Sequence, residues 1–253
     1  VGDLVLSLFP GIGLLDMAFE EEGFCVVRGP DLLWGGDIRS FHPPAGKFDG
    51  VIGGPPCQFA SKMRHIQPLA GKKHGNLIPE FQRCVTEAHP QWFLMENVED
   101  APLPTVLGYV VRAQLIRDVW VGGETMRRRR ISFGTLDGRS LPIEQLALHD
   151  PEPDVSALAG ASSRVPVALI RDGNGGHKPK KRYGTSGRRS VLGATSGGNS
   201  FAEKLRQQGL PPDYLAEAPF TAQGKSHAVG NGVPLPMGRA VAKAVKRALR
   251  GTP

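Results

Sequence analysis

The chain has 253 residues, 40% of them apolar, enough for one large domain with a sizeable core. Its formal charge of +7 suits a polyanionic partner, and three cysteines without a C-x-x-C pair argue against a disulfide framework or a structural zinc site. No apolar run is long enough to span a bilayer, and the apolar start lacks the basic residues of a signal peptide. A reducing cytoplasm, no membrane, no metal and a monomeric state are therefore expected.

"DLVLSLF" (3–9) predicts a first strand, closed by "PGIG", and "LLDMAFEEEG" follows with helical spacing. "FCVVRG" reads as a second strand, "KFDGVIGG" as a third and "HPQWFLMENV" as a fourth. Between the last two, "NLIPEFQRCVTEAH" puts Leu77, Ile78, Phe81, Val85 and Ala88 on one helical face. Strands alternating with helices predict an α/β fold with a parallel, doubly wound sheet. "RISFGTL" (130–136) is a later strand, and "LPMGRAVAKAVKRALR" (235–250) a closing amphipathic helix.

From about 138 to 200 the periodicity disappears and Gly, Ser, Pro and basic residues dominate; residues 171–189 carry seven Lys/Arg against one Asp. The expected division is 1–137 as the first part of the main domain, 138–200 as a small irregular insert, and 201–253 as the part that completes the main domain. A disordered linker is the competing reading of the insert.

Three stretches carry chemistry. "LFPGIGLLD" sets a Gly-x-Gly turn between strand and helix, where a ligand can approach the backbone and the helix N-terminus offers free N–H groups. An acidic residue after the second strand is the usual ribose partner in such folds; Asp31 can serve, with Asp37 close behind. In "GPPCQFAS", Cys57 follows the rigid corner made by Pro55 and Pro56 at a strand end, a setting for an activated nucleophile, although a free cysteine is more often simply buried. "WFLM" runs straight into Glu96-Asn97, so a carboxyl group also sits at a strand end. Both ends should meet at one crevice beside the glycine turn.

With these residues in order, the chain resembles the DNA cytosine-5 methyltransferases, in their compact phage or bacterial form. "LFPGIG" is similar to the family's cofactor loop, "GPPCQFAS" to its Pro-Cys-Gln loop and "MENV" to its Glu-Asn-Val strand end. "GNLIPEF" matches the segment before that strand. "RRRRISFG" resembles the Gln-x-Arg-x-Arg strand, "EKLRQQGLPPDY" the Gln-Gly-Phe-Pro element, and "HAVGNGVPLPMGRAVAKAV" the closing Gly-Asn-x-Val helix.

The resemblance implies a Rossmann-like methyltransferase sheet with helices on both faces, and S-adenosyl-L-methionine as donor with S-adenosyl-L-homocysteine as product. Phe9, Gly11, Ile12, Gly13, Asp31, Asp37, Ile38, Pro56, Leu77, Asn231 and Val233 would hold the donor. Cys57 would attack carbon 6 of a flipped cytosine in double-stranded DNA, and Glu96 would act at N3, with arginines on the carbonyl and a phosphate. Gln58, Ser61, Lys178, Lys180, Lys181, Arg182, Arg188 and Arg189 would face DNA. An RNA cytosine methyltransferase is the alternative enzyme, though the Cys-Phe-Thr signature of the transfer-RNA branch is absent. A DNA-binding relative without activity is the alternative class. A restriction-modification setting fits. A fused endonuclease is not expected.

The sequence departs from the family in four places. Leu14 replaces a glycine, which should tighten the loop against its helix. Asp37 follows Asp31 by only six positions, where the family has a helix, so the adenine contact at Asp37-Ile38 is better placed than the ribose contact at Asp31. The Gln of Gln-x-Arg-x-Arg is missing. Counting back from Ile131 selects Arg128 and Arg130, and counting forward from "GGE" selects Arg127 and Arg129; strand alternation favours the first pair. Ala202 stands where the family has an arginine.

Overall fold

The computed structural model describes residues 3–56, 75–146 and 200–251. Six strands form one sheet in the order β2-β1-β3-β4-β6-β5: β1 Leu4–Leu8, β2 Cys25–Arg28, β3 Gly50–Gly53, β4 Trp92–Asn97, β5 Val110–Arg117 and β6 Arg128–Thr135. The first four are parallel, while β6 runs antiparallel to both β4 and β5. The parallel strands are apolar because helices cover both faces.

Alternation along each strand sorts the core into two layers. Trp92 and Leu94 face α1 (Leu14–Glu21) and α5 (Leu235–Arg250), packing with Phe19, Ile131, Phe133, Met237 and Val241. Phe93 and Met95 face α2 (Ile78–Ala88), packing with Phe81, Cys84, Val85, Leu6, Leu8 and Val51. Glu96 follows Leu94 on the α1/α5 face, and Asn97 follows Met95 on the other.

Two observations revise the sequence reading. Val110–Arg117 forms a strand that the apolar pattern did not reveal, because as an edge strand it is half exposed. The chain just after β6 still belongs to the sheet layer: Leu141 is buried in the main core, and Arg139 donates to the Ala248 carbonyl at 3.0 Å. The rest of the insert, 147–199, lies outside the described residues.

Between β2 and β3 there is no α-helix, only short 3-10 turns at Leu32–Trp34 and Ile38–Ser40, each capped by the aspartate before it. Two further short helices, α3 (Phe201–Gln207) and α4 (Ala222–Asn231), lead to α5. They close a third apolar cluster in which Leu14 and Ile12 pack against Leu205, Leu210 and Val229. Leu14 therefore fills the space between the glycine loop and the C-terminal segment. A Cβ on Gly232 would stand 2.5 Å from its Cδ1, so glycine is required there.

Candidate active site

The C-terminal ends of β1, β3 and β4 open on one cleft, lined among others by Phe9, Gly11, Ile12, Gly53, Gly54, Glu96, Asn231 and Val233. Residues more than 200 positions apart in sequence thus share a wall. Next to it is a small, mostly apolar slot lined by Phe9, Pro30, Asp31, Leu32, Gly36, Ile38, Pro56 and Leu77. Phe9 belongs to both and holds a positive φ of 58°, a conformation a non-glycine residue adopts only under constraint.

The glycine loop is pinned from three sides. Asp31 Oδ2 accepts from the Gly11 N–H at 2.9 Å while its Oδ1 accepts from the Leu33 N–H at 2.7 Å. The Trp34 indole N–H donates to the Gly11 carbonyl at 2.7 Å, and the Tyr214 hydroxyl donates to the Ile12 carbonyl at 2.7 Å. Trp34 and Tyr214 were not singled out from the sequence; their hydrogen bonds to the loop end on backbone carbonyls, which leave no motif, while the Trp34 ring packs near Phe220 and the Tyr214 hydroxyl also meets the Met17 sulfur. Gly13 caps α1 in the left-handed conformation.

Behind the loop, Ser7 donates to the buried Asp16 carboxylate at 2.5 Å and Arg28 donates to its other oxygen at 2.9 Å. Burial pushes the Asp16 carboxyl above the usual range, against the pull of Ser7 and Arg28. Asp37 does not line either recess. It caps the turn after it, and the Arg39 backbone N–H, aided by the guanidinium, holds its carboxyl below the usual range. Ile38, its neighbour, does line the slot.

Glu96 is buried beside Gly54, whose Cβ, if it had one, would stand 3.0 Å from Oε2. Arg129 Nε lies 2.7 Å from Glu96 Oε1, out of line for a hydrogen bond, so among the described residues that oxygen receives none. Asn97 donates to the Pro55 carbonyl at 3.1 Å and accepts from the Val98 N–H, tying the end of β4 to the Pro-Pro corner. Cys57, Gln58 and Ser61 follow that corner and lie outside the described residues, as do Lys178, Lys180, Lys181, Arg182, Arg188 and Arg189.

The arginine run is corrected here. Glu96 stands opposite Ile131 in the sheet, so the arginine on the face of Glu96 is two residues from Ile131, at 129. Arg128 and Arg130 point the other way: Arg128 pairs with Glu99, and Arg130 donates to the carbonyls of Glu99 and Ala101. Arg127, again on the face of Arg129, donates to the Gly230 carbonyl at 2.8 Å. Alternation was the right tool, but it selects the pair that shares the face of Ile131. Thr125, two residues before Arg127, donates its hydroxyl to Asp118 at 2.8 Å.

Among the described residues, no helix is long and apolar enough to cross a membrane, and no group of three or more acidic, His or Cys side chains could hold a metal.

Sheet order, glycine loop and strand-end carboxylate together give an α/β fold whose cleft lies at the C-terminal ends of its parallel strands. The structure of the Entamoeba histolytica methyltransferase EhMeth overlays with a TM-score of 0.62 at 12% identity, covering 98% of this chain and 99% of that one. Residues 35–102 match the family described as C-5 cytosine-specific DNA methylase. Type II methyltransferase M.FnuDI of Fusobacterium nucleatum is 33% identical over 111 residues, 38% of this chain and 32% of that protein. Type II methyltransferase M.HgiGI of Herpetosiphon aurantiacus is 30% identical over 123 residues, which are 40% of this chain and 94% of that one. The chain belongs to the C-5 cytosine-specific DNA methylase family. It spans about a third of the length of M.FnuDI and of M.NgoPII, and about half of M.AquIA.

Proposed function

We propose that this chain methylates carbon 5 of a flipped cytosine in double-stranded DNA, with S-adenosyl-L-methionine as donor and S-adenosyl-L-homocysteine as product. The observation that carries the reading is Glu96: a buried carboxylate at a strand end, with Oε1 receiving no hydrogen bond among the described residues and Arg129 beside it. That carboxyl group, ion-paired with Arg129 and lining the cleft, is consistent with a group that meets a polar atom of the substrate.

The residues present suit the donor. The apolar slot between Phe9, Pro30, Ile38, Pro56 and Leu77 has the character a planar base needs, and Asp31 stands at its edge. The wider recess beside Gly11 and Asn231 leads from there toward Glu96. The donor supplies an electrophilic methyl group on a sulfonium.

Carbon 5 of cytosine is a poor nucleophile until carbon 6 is attacked. The Cys57 thiolate forms a bond to carbon 6, the ring double bond shifts its electrons toward carbon 5, and Glu96, entering the step as the neutral acid, donates its proton to N3. Arg129 keeps the carboxyl group of Glu96 in place and offers its remaining N–H groups to the cytosine carbonyl. Carbon 5 then takes the methyl while the sulfonium keeps the electron pair of the broken bond. A base removes the carbon 5 proton, those electrons restore the double bond and expel the thiolate, and N3 returns its proton to Glu96. Within 138–200, the part beyond the core-packed Leu141 is proposed to face DNA.

Bisulfite sequencing of DNA from cells expressing the protein, beside cells expressing Cys57→Ser, tests activity and reveals the site together. Methylated cytosines that depend on Cys57 are expected. Labelled methyl transfer to transfer RNA but not to duplex DNA would favour the RNA reading, and near-normal turnover by Cys57→Ser would overturn the mechanism.

A further inference from the structure

We infer that Arg127 is a positioning residue for the methyl donor, fixing the C-terminal wall of the cleft from the same strand face that carries Arg129. The inference rests on the donor reading above. Arg127 is only 3% exposed, and its guanidinium reaches across 103 residues of sequence to donate from Nη1 to the Gly230 carbonyl at 2.8 Å, with Nη2 3.4 Å from the Asn231 carbonyl. Those carbonyls end α4, where a helix leaves its last acceptors without partners and favours a positive charge. Asn231 lines the cleft beside Gly11.

A buried guanidinium needs a counter-charge, and the fully buried Asp118 lies within electrostatic reach of Arg127. Asp118 is itself fixed by the Thr125 N–H at 3.0 Å and the Thr125 hydroxyl. Asp118 and Arg127 are also joined through the Asp118 N–H, which donates to the Arg127 carbonyl at 2.9 Å, so a chain of coupling runs from Asp118 through Arg127 to the backbone that carries Asn231. One turn of strand further on, Arg129 meets Glu96. A single strand face thus sets the donor wall and the acidic group together, and a shift of that wall should be felt by the donor before it is felt by DNA.

The test compares wild type with Arg127→Lys, Arg127→Met and Asp118→Asn by calorimetric titration with S-adenosyl-L-homocysteine, alongside duplex DNA binding without donor and melting temperature. Arg127→Lys, which can reach one carbonyl, should weaken donor binding about tenfold, and Arg127→Met about a hundredfold, as lost charge-assisted bonds would. DNA affinity should move less than about twofold. Asp118→Asn should weaken the donor in the same direction by less, and adding it to Arg127→Lys should cost nothing further, because both act through one chain. If Arg127→Met fails to fold, the Lys variant decides. A Lys variant with lower melting temperature and unchanged donor affinity makes Arg127 a structural prop and overturns the role. A wild-type chain that takes no S-adenosyl-L-homocysteine overturns the donor reading, and this role with it.

Discussion

Arg129 Nε stands 2.7 Å from Glu96 Oε1, while Arg128 and Arg130, on either side of it, bind the loop at 99–101 on the opposite face. Adjacent arginines in one run therefore do different jobs. Arg129→Ala should lower turnover by about 10²–10³, the usual loss when a preorganised charged donor is removed. Arg128→Gln should cost no more than about tenfold, since it loosens a partly exposed pair. Single-turnover methylation of duplex DNA by the two variants checks the order; equal losses would place the arginines in one functional set.

Gly54→Ala probes the room around the same carboxylate. The new methyl would stand 3.0 Å from Glu96 Oε2, so the carboxylate has to give by a few tenths of an ångström. The rate of methyl transfer should fall roughly tenfold to a hundredfold, as small misplacements of a reacting group do, with donor affinity and melting temperature nearly unchanged. A variant of full activity would mean that Glu96 tolerates displacement and is not held for chemistry.

Much of this site was legible because strands between two helix layers are written as apolar runs, and the run "WFLM" points straight at Glu96. The glycine loop and Pro55-Pro56, each at a strand end, follow the same logic, whereas Gly230-Asn231 at the end of α4 was expected at the cleft only from the family resemblance. The edge strand at 110–117 carries no such signal, since half of it meets solvent. Asp37, expected from the resemblance to meet the donor together with Ile38, also caps its own turn, a role that needed coordinates. Trp34 and Tyr214 act on carbonyls, which any sequence supplies. Asn97 was visible as the second letter of "EN", but its hold on Pro55 needed coordinates.

Ser7→Ala should show a pH dependence whose sign follows from Asp16. Burial raises the Asp16 carboxyl above its ordinary 3.8, so the folded chain binds that proton more tightly than the unfolded chain does. Ionising Asp16 thus removes stability as pH rises from that value through the folded pKa, and the Ser7 hydroxyl limits the loss by donating to the charged form. Removing it should cost about 1.5–3 kcal/mol at pH 8 and clearly less near pH 4. Thermal denaturation at both values checks this; a cost independent of pH would mean that Asp16 stays protonated throughout.

The basic stretch at 175–189 predicts a salt effect. If four of its side chains neutralise phosphates, the logarithm of DNA affinity should fall with the logarithm of salt at a slope of about −3.6, from roughly −0.9 per phosphate. Changing Lys180, Lys181 and Arg182 to Ala should weaken binding on all sequences, flatten the slope and leave donor affinity alone. Unchanged slope and affinity would make the stretch a solvated loop.

Helix α5 lies along α1, and Lys246 near its end pairs with Asp3 at the head of β1 at 2.8 Å. The two extremities of the described fold are thus neighbours, on the side of the sheet away from the strand ends that open the cleft. A polypeptide that began with α4 and α5, passed through a short linker into β1 and finished after α3 would assemble the same walls in the same places. The order in which the motifs are written along the gene is therefore free to rotate, because the cleft depends on which segments meet and not on which is translated first.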